Sequence, residues 1–185
     1  MKEEILSELH QKMEKTVEAL RKDLNRIRTG RASVALLDGI KVNAYETQMP
    51  LDQVASLSTP ESRLITIKPW DQSIIAEIEK SILKSELGLT PMNDGKLIRI
   101  SIPPLTEERR KELAKMAKKM AEEAKISIRN HRREANEMFK ELKNEKEISE
   151  DEMYKSQDQT QKVTDDFTRK VDEITAEKEK EIVEF

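Results

Sequence analysis

An α+β protein of two domains, a helical bundle interrupted by a small α/β module, is what this sequence predicts. Three observations lead there. The 185 residues are 38% charged, 36% hydrophobic and only 3% aromatic, so most apolar side chains must lie in narrow stripes on long solvated helices. All six prolines and most of the β-branched alternation fall between residue 31 and about residue 105. Heptad-like seams flank that stretch on both sides.

The elements follow in order. Leu6, Met13, Leu20 and Ile27 recur every seven residues, with Leu9, Val17 and Leu24 between them, which is a helix with one buried seam. The pattern stops at Thr29-Gly30-Arg31, where Gly30 suits a helix C-cap or a change of chain direction. After the Asp38-Gly39 turn signal the period becomes two. Ile40, Val42 and Ala44 alternate, and Arg63 to Lys68 reads as a strand that Pro69 ends. A short helix fits Ile74 to Leu87, with Ile74, Ile75, Ile78, Ile82 and Leu83 on one face and Gly88 as its stop. Asn93-Asp94-Gly95 turns the chain into another strand, Leu97 to Ile102, which Pro103-Pro104 terminates. The single tryptophan, Trp70, is expected as a core or lid residue of this module.

Helical order resumes at Thr106, an N-cap followed by Glu107 and Glu108, whose carboxylates favour the positive end of the helix dipole. The seam then runs through Leu113, Ala117, Met120, Ala124, Ile128, His131, Ala135, Met138 and Leu142, and its one doubled step of four relaxes a left-handed supercoil locally. Ser149-Glu150-Asp151-Glu152 has the form of a capping box. It opens a third helix with Met153, Thr160, Val163, Phe167, Val171 and Ile174 on its seam. Three such helices can bury their seams only by packing together, so the module is an insertion. Its two crossings, near Gly30-Arg31 and Pro103-Pro104, form a natural hinge axis, and proline restricts the bending of one of them.

Several function classes drop out. Without cysteine there is neither disulfide nor thiolate zinc site, and a reducing compartment is expected. The first residues carry no apolar h-region or Arg-rich presequence, and no run of eighteen apolar residues exists, so a soluble cytoplasmic protein away from membranes is expected. Gly88 to Gly95-Lys96 superficially resembles a phosphate loop, but six residues separate the glycines where four are needed, and Leu97 stands where Ser or Thr is required. His10 and His131 are the only histidines and neither belongs to a metal motif. His131 lies on the seam and reads as a packing residue. No catalytic constellation, cofactor or metal is expected.

One feature points toward a partner. Lys125, Arg129, Arg132 and Arg133 fall within an arc of about 100° on one helical face, in a chain of formal net charge −3. A polyanion responds to the local field within a Debye length, so the patch attracts it despite the overall charge. Arg129 and Arg133 have no acidic residue at 125 or 136 to pair with along the face, whereas Lys118 has Glu122 one turn on. Arginine forks bind phosphate, and with few aromatics available for stacking, backbone or shape recognition of folded RNA is the expected mode.

The runs Arg28-Thr29-Gly30-Arg31-Ala32, Leu36-Leu37-Asp38-Gly39-Ile40, Ser85-Glu86-Leu87-Gly88-Leu89, Pro103-Pro104-Leu105-Thr106-Glu107-Glu108-Arg109-Arg110-Lys111 and Arg129-Asn130-His131-Arg132-Arg133-Glu134-Ala135-Asn136 resemble the ribosome recycling factor family, in order and spacing, over essentially the whole chain. The resemblance implies an L-shaped two-domain molecule. Residues 1–30 and 106–185 would form a three-helix bundle, residues 31–105 an inserted β/α/β domain, and the hinge would lie at about 30–31 and 103–105. It also implies a non-enzymatic role after termination. The factor would bind the large ribosomal subunit and its rRNA and, with GTP-bound elongation factor G supplying the GTPase, split the ribosome, releasing messenger RNA and deacylated transfer RNA. The third initiation factor would act downstream. Carried onto this sequence, ribosome binding falls to Arg132, Arg129, Arg133 and Arg110, with Lys125, Arg28 and Arg31. The hinge falls to Gly30, Arg31, Pro103, Pro104 and Leu105, and Tyr45 becomes a candidate for the small domain's contact surface. A monomer is expected. The competing reading is a coiled-coil scaffold or holdase chaperone that self-associates through its seams, and an RNA-modifying enzyme is disfavoured by the missing motifs.

Overall fold

Two units share the chain in the computed structural model, which describes residues 1–184. Met1–Arg28 and Glu107–Glu184 form one, and Thr29–Thr106 the other.

The first unit is built from α1 (Lys2–Asn25), α4 (Glu107–Asn144) and α5 (Glu150–Glu184). Cross-helix pairs fix their directions. Lys12 meets Glu134 and Thr16 meets His131, so the paired residue number rises on α1 as it falls on α4, and the two helices are antiparallel. Lys2 meets Glu152, and Lys170 meets Glu14, so α1 and α5 run parallel. On α1 the expected seam is buried at Leu9, Met13, Val17, Leu20, Leu24 and Ile27, with Leu6 half-buried. The helix ends at Asn25 with Arg26 as its cap, earlier than the apolar repeat suggests. Gly30 is therefore no C-cap, and Ile27 stays buried beyond the helix proper.

α4 packs against both other helices, and its buried face is wider than one seam. Leu113, Ala117, Ala124, Ile128 and Ala135 are buried as expected, but Ala121 and Phe139 join them, while Met120, His131, Met138 and Leu142 are only half-buried. The 38 residues span about 57 Å at 1.5 Å each. α5 departs further from a hydrophobic rule. Ser156, Thr160, Thr164, Thr175 and Lys178 lie on its buried face beside Met153, Phe167, Val171 and Ile182, whereas Val163 and Ile174 are half-buried. Each threonine hydroxyl in the row donates to the carbonyl four residues back, Thr160 to Ser156 at 2.9 Å, Thr164 to Thr160 at 2.7 Å and Thr175 to Val171 at 2.7 Å. A hydroxyl satisfied inside its own helix is buried without the penalty of an orphaned polar group.

The capping box that opens α5 is complete. Glu152 N–H donates to Ser149 Oγ at 3.2 Å and Ser149 N–H donates to Glu152 Oε2 at 2.9 Å. Lys2 Nζ adds a bond to Glu152 Oε1 at 2.6 Å. Lys2 first, and then the Ser149 amide, hold the Glu152 carboxyl down at about 2. Because its folded value lies below its unfolded one, its contribution is fully present above the ordinary carboxylate range and is lost as pH falls through about 2. Acid titration of wild type and Glu152→Gln should therefore show stabilities that converge between about pH 4.5 and pH 2. In the same assay at neutral pH, Ser149→Ala should cost about 1 kcal/mol. Unchanged melting would show that the cap contributes nothing.

The second unit holds two sheets and a helix. β1 (Lys41–Ala44) and β2 (Thr47–Pro50) form a hairpin, followed by one turn, α2 (Leu51–Val54). β3 (Ala55–Glu61), β4 (Leu64–Pro69), β5 (Pro91–Asn93) and β6 (Ile98–Ser101) make an antiparallel sheet in the order β3-β4-β6-β5. α3 (Ile75–Lys84) lies between β4 and β5 in sequence. The register pairs Ile67 with Ile98 and Ile65 with Ile100, which join Val42, Ala44, Ile78 and Ile82 in one core. The alternating strands β1, β4 and β6 were legible. β2 and β5 were not, because their burial does not alternate along the chain, and β3 alternates only from Ala55 to Ser58 before running exposed to Glu61.

Three expectations for this unit need correction. Leu83 is 58% exposed and Trp70 68% exposed. Leu83 follows Ile82 by one residue, about 100° round the helix, and so turns off the buried face. Trp70 lies just past the end of β4, with its N–H donating to Val54 O at 3.2 Å. The helix stops at Lys84 with Ser85 in an extended conformation, so Gly88 belongs to the following loop.

Candidate nucleic-acid interface

The predicted basic cluster sits on one face of α4, within about 12 Å along the helix from Lys125 to Arg133. The core side of the helix, at Ala124, Ile128 and Ala135, is clamped against its neighbours. The cations thus stand on a rigid support, with Lys125 and Arg132 half-buried at their bases and Arg129 and Arg133 exposed.

Their partners correct the sequence reading. Arg129 Nη2 lies 3.2 Å from Glu122 Oε1, two turns away on the same helix, so this arginine is compensated and Glu122 is engaged there. Lys125 pairs with Asp172 of α5. Arg132 Nη1 donates to Gln161 Oε1 at 3.2 Å, and Gln161 in turn donates to Asp165. Arg133 has no ion-pair or hydrogen-bond partner among the described residues. Both members of the Arg129 pair are about half exposed, and such pairs contribute at most about 1 kcal/mol. A phosphate can therefore take over these arginines cheaply. The surface acids orient the cations and lower the patch's net charge without blocking it.

Glu122 lay within reach of sequence reasoning, since seven residues return to nearly the same helical face. Asp172 and Gln161 did not, because they come from another helix.

The other candidates are placed apart. Arg110 is in the first turn of α4, about 22 Å along the helix from Lys125. Its Nη1 donates to Val183 O at 3.4 Å, at the end of α5, and its Nε is buried without a partner among the described residues. Arg28 is exposed just past α1, in the bundle unit, while Arg31 is exposed in the small unit. His131 is a packing residue between α1 and α4. The Thr16 hydroxyl donates to Lys12 O at 3.0 Å, so His131 Nε2–H is the donor in its 3.3 Å contact with Thr16 Oγ1.

Of the candidate hinge residues, Gly30 and the 103–105 segment approach each other within the small unit. Gly30 is buried with φ +78°, and a Cβ there would lie 3.3 Å from Leu105 Cγ and 3.8 Å from Pro103 O. Pro103, Pro104 and Arg31 are exposed and Leu105 is half-buried. Gly30→Ala should destabilise this unit by about 1–2 kcal/mol through the left-handed backbone alone. Hydrogen exchange of β4 and β6 amides reads that loss, and undiminished protection would show that residue 30 relaxes freely.

Tyr45 stands at the tip of the β1–β2 hairpin, 63% exposed. It and Glu46 both have positive φ, 52° and 64°, in a two-residue turn that glycine or asparagine would suit better. The Tyr45 hydroxyl donates to Asp71 Oδ2 at 2.8 Å, and that bond pushes the phenol's pKa up. Asp71 is held below the usual carboxylate range, first by the Ser73 backbone N–H. No described helix is long and apolar enough to cross a membrane.

The family model described as ribosome recycling factor matches residues 20–183. A ribosome-recycling factor from Desulfatibacillum aliphaticivorans is 58% identical over 185 residues, covering 100% of both chains. One from Syntrophus aciditrophicus is 59% identical with the same coverage. Among solved structures, one described as the solution structure of the ribosome recycling factor aligns with a TM-score of 0.75 at 42% identity, covering 100% of this chain and 98% of that one. A second describes models of the T. thermophilus ribosome recycling factor and E. coli elongation factor G bound to the E. coli post-termination complex. It aligns with a TM-score of 0.62 at 43% identity, over 98% of each chain.

Proposed function

The chain belongs to the ribosome recycling factor family, and from that premise we propose that it binds the large subunit of post-termination ribosomes through its helical bundle and acts with elongation factor G to separate the subunits. The observation that carries this reading is the cation cluster on α4, mounted on a helix whose adjoining face is locked into the bundle core. The description of a related structure on a post-termination complex with elongation factor G supports the pairing of partners.

The work is differential binding. A factor shifts the equilibrium between joined and separated subunits only by as much as it binds one state better than the other. Rigidity matters here, because a helix that yielded would lose that difference. GTP hydrolysis belongs to the partner, and this chain contributes contacts, with no bond chemistry of its own. Arg132, Arg129 and Arg133 meet rRNA phosphates, with Lys125 beside them and Arg110, Arg28 and Arg31 contributing further out. The bundle, 1–30 with 106–185, grips the ribosome. The inserted 31–105 domain turns about Gly30, Arg31, Pro103, Pro104 and Leu105, and presents Tyr45. The third initiation factor acts afterwards to prevent rejoining, in the cytoplasm.

If about four arginines engage phosphates, affinity for large subunits should fall with salt at a log–log slope of about −3, at 0.7 to 0.9 per contact. A titration by co-sedimentation measures it. A flat profile would mean that docking runs through ribosomal protein, and self-association without ribosome binding would return the scaffold reading.

A further inference from the structure

The small unit carries a second cationic surface, on the side where its hairpin faces α3. β1 alternates, with Val42 and Ala44 in the core and Lys41 and Asn43 turned outward. The antiparallel register sets Gln48 opposite Asn43. On α3, Ile78 and Ile82 face inward, while Glu77, Lys80, Ser81 and Lys84 follow at i, i+3, i+4 and i+7 and share one face. These two rows line one cleft, with Gly39 and Ile40 between them.

Its charges do not cancel. Three lysines face one carboxylate, an excess of two positive charges in a chain of net charge −3. Lys80 and Glu77 are 3.8 Å apart and substantially exposed, a weak pair. Lys41 and Lys84 have no ion-pair partner among the described residues. The Ser81 and Ser85 hydroxyls are used up on Glu77 O and Ile82 O, so the donors left to the cleft are the three ammonium groups and the Asn43 and Gln48 amides.

That inventory selects a ligand. No aromatic side chain lines the cleft, so there is no platform for base stacking. Ammonium groups act as mobile point charges suited to phosphate without reading base edges. Protein interfaces are depleted in lysine and anchored by aromatic, Met or Arg side chains, and none of these is here. We propose that this cleft is a second contact for an RNA phosphate backbone, separate from the α4 cluster. It rests on the reading of the chain as a ribosome-binding factor.

The test compares the full chain with its Lys41→Gln/Lys80→Gln/Lys84→Gln variant, in binding to large ribosomal subunits and to the deproteinised rRNA across 50–200 mM salt. The exposed positions should leave the thermal midpoint unchanged. With both ligands the wild-type log–log slope should be steeper than the four arginines alone give, about −5, and the variant's should return to about −3, a difference of about 2 from three contacts at 0.7 to 0.9 each. Equal slopes while both proteins bind would overturn the cleft and leave the bundle reading standing. A difference seen with subunits and lost with bare rRNA would place an acidic ribosomal protein in the cleft and equally refute the proposal. If wild type binds neither ligand, the functional reading fails, and the cleft with it.

Discussion

Arg132→Ala is expected to leave the bundle folded and to weaken large-subunit binding roughly ten- to hundredfold. The magnitude follows from losing a hydrogen bond to a charged group, about 1.5–3 kcal/mol. The fold should survive because the guanidinium's bond within the protein goes to the neutral Gln161 amide at the surface, and surface substitutions of that kind stay within about 0.5 kcal/mol. Arg129 would be a less clean probe. Removing it leaves Glu122 unpaired and, at the proposed phosphate contact, would add repulsion to the lost attraction. Equal affinity for wild type and Arg132→Ala in a direct titration would remove Arg132 from the interface.

Phe139→Ala should have the largest effect on stability. The ring is completely buried in the bundle, and truncating a core phenylalanine costs about 3–5 kcal/mol in transfer and cavity terms together. Denaturant melts should show an earlier midpoint with little change in slope. Ribosome affinity at low temperature, where the variant is still folded, should match wild type, because the completely buried ring offers no surface to a partner. A loss below about 1 kcal/mol would mean that the site collapses around the gap.

Helix-scale features could be read from the chain because they repeat. The α1 seam, the strand alternation at Ile40, Val42 and Ala44, and the Ser149–Glu152 box all depend on spacing within one segment. What escaped depends on more than one segment. Phe139 and Ala121 are buried because α4 meets two helices. Thr164 and Thr175 are buried because each hydroxyl finds a carbonyl in its own helix, and hydropathy counts such residues as polar. The candidate interface divides in the same way. The arc of Lys125, Arg129, Arg132 and Arg133 is a property of one helix and was legible. The partners that orient it, Asp172 and Gln161, come from α5, and the lysine cleft needs both the β1–β2 pairing and α3 to exist at all.

The most direct test of the account follows light scattering of post-termination ribosomes mixed with this protein, elongation factor G and GTP, with the third initiation factor present to block rejoining. Scattering should fall only when both this chain and GTP are present, and more slowly with Arg132→Ala. Undiminished scattering despite tight ribosome binding would contradict it.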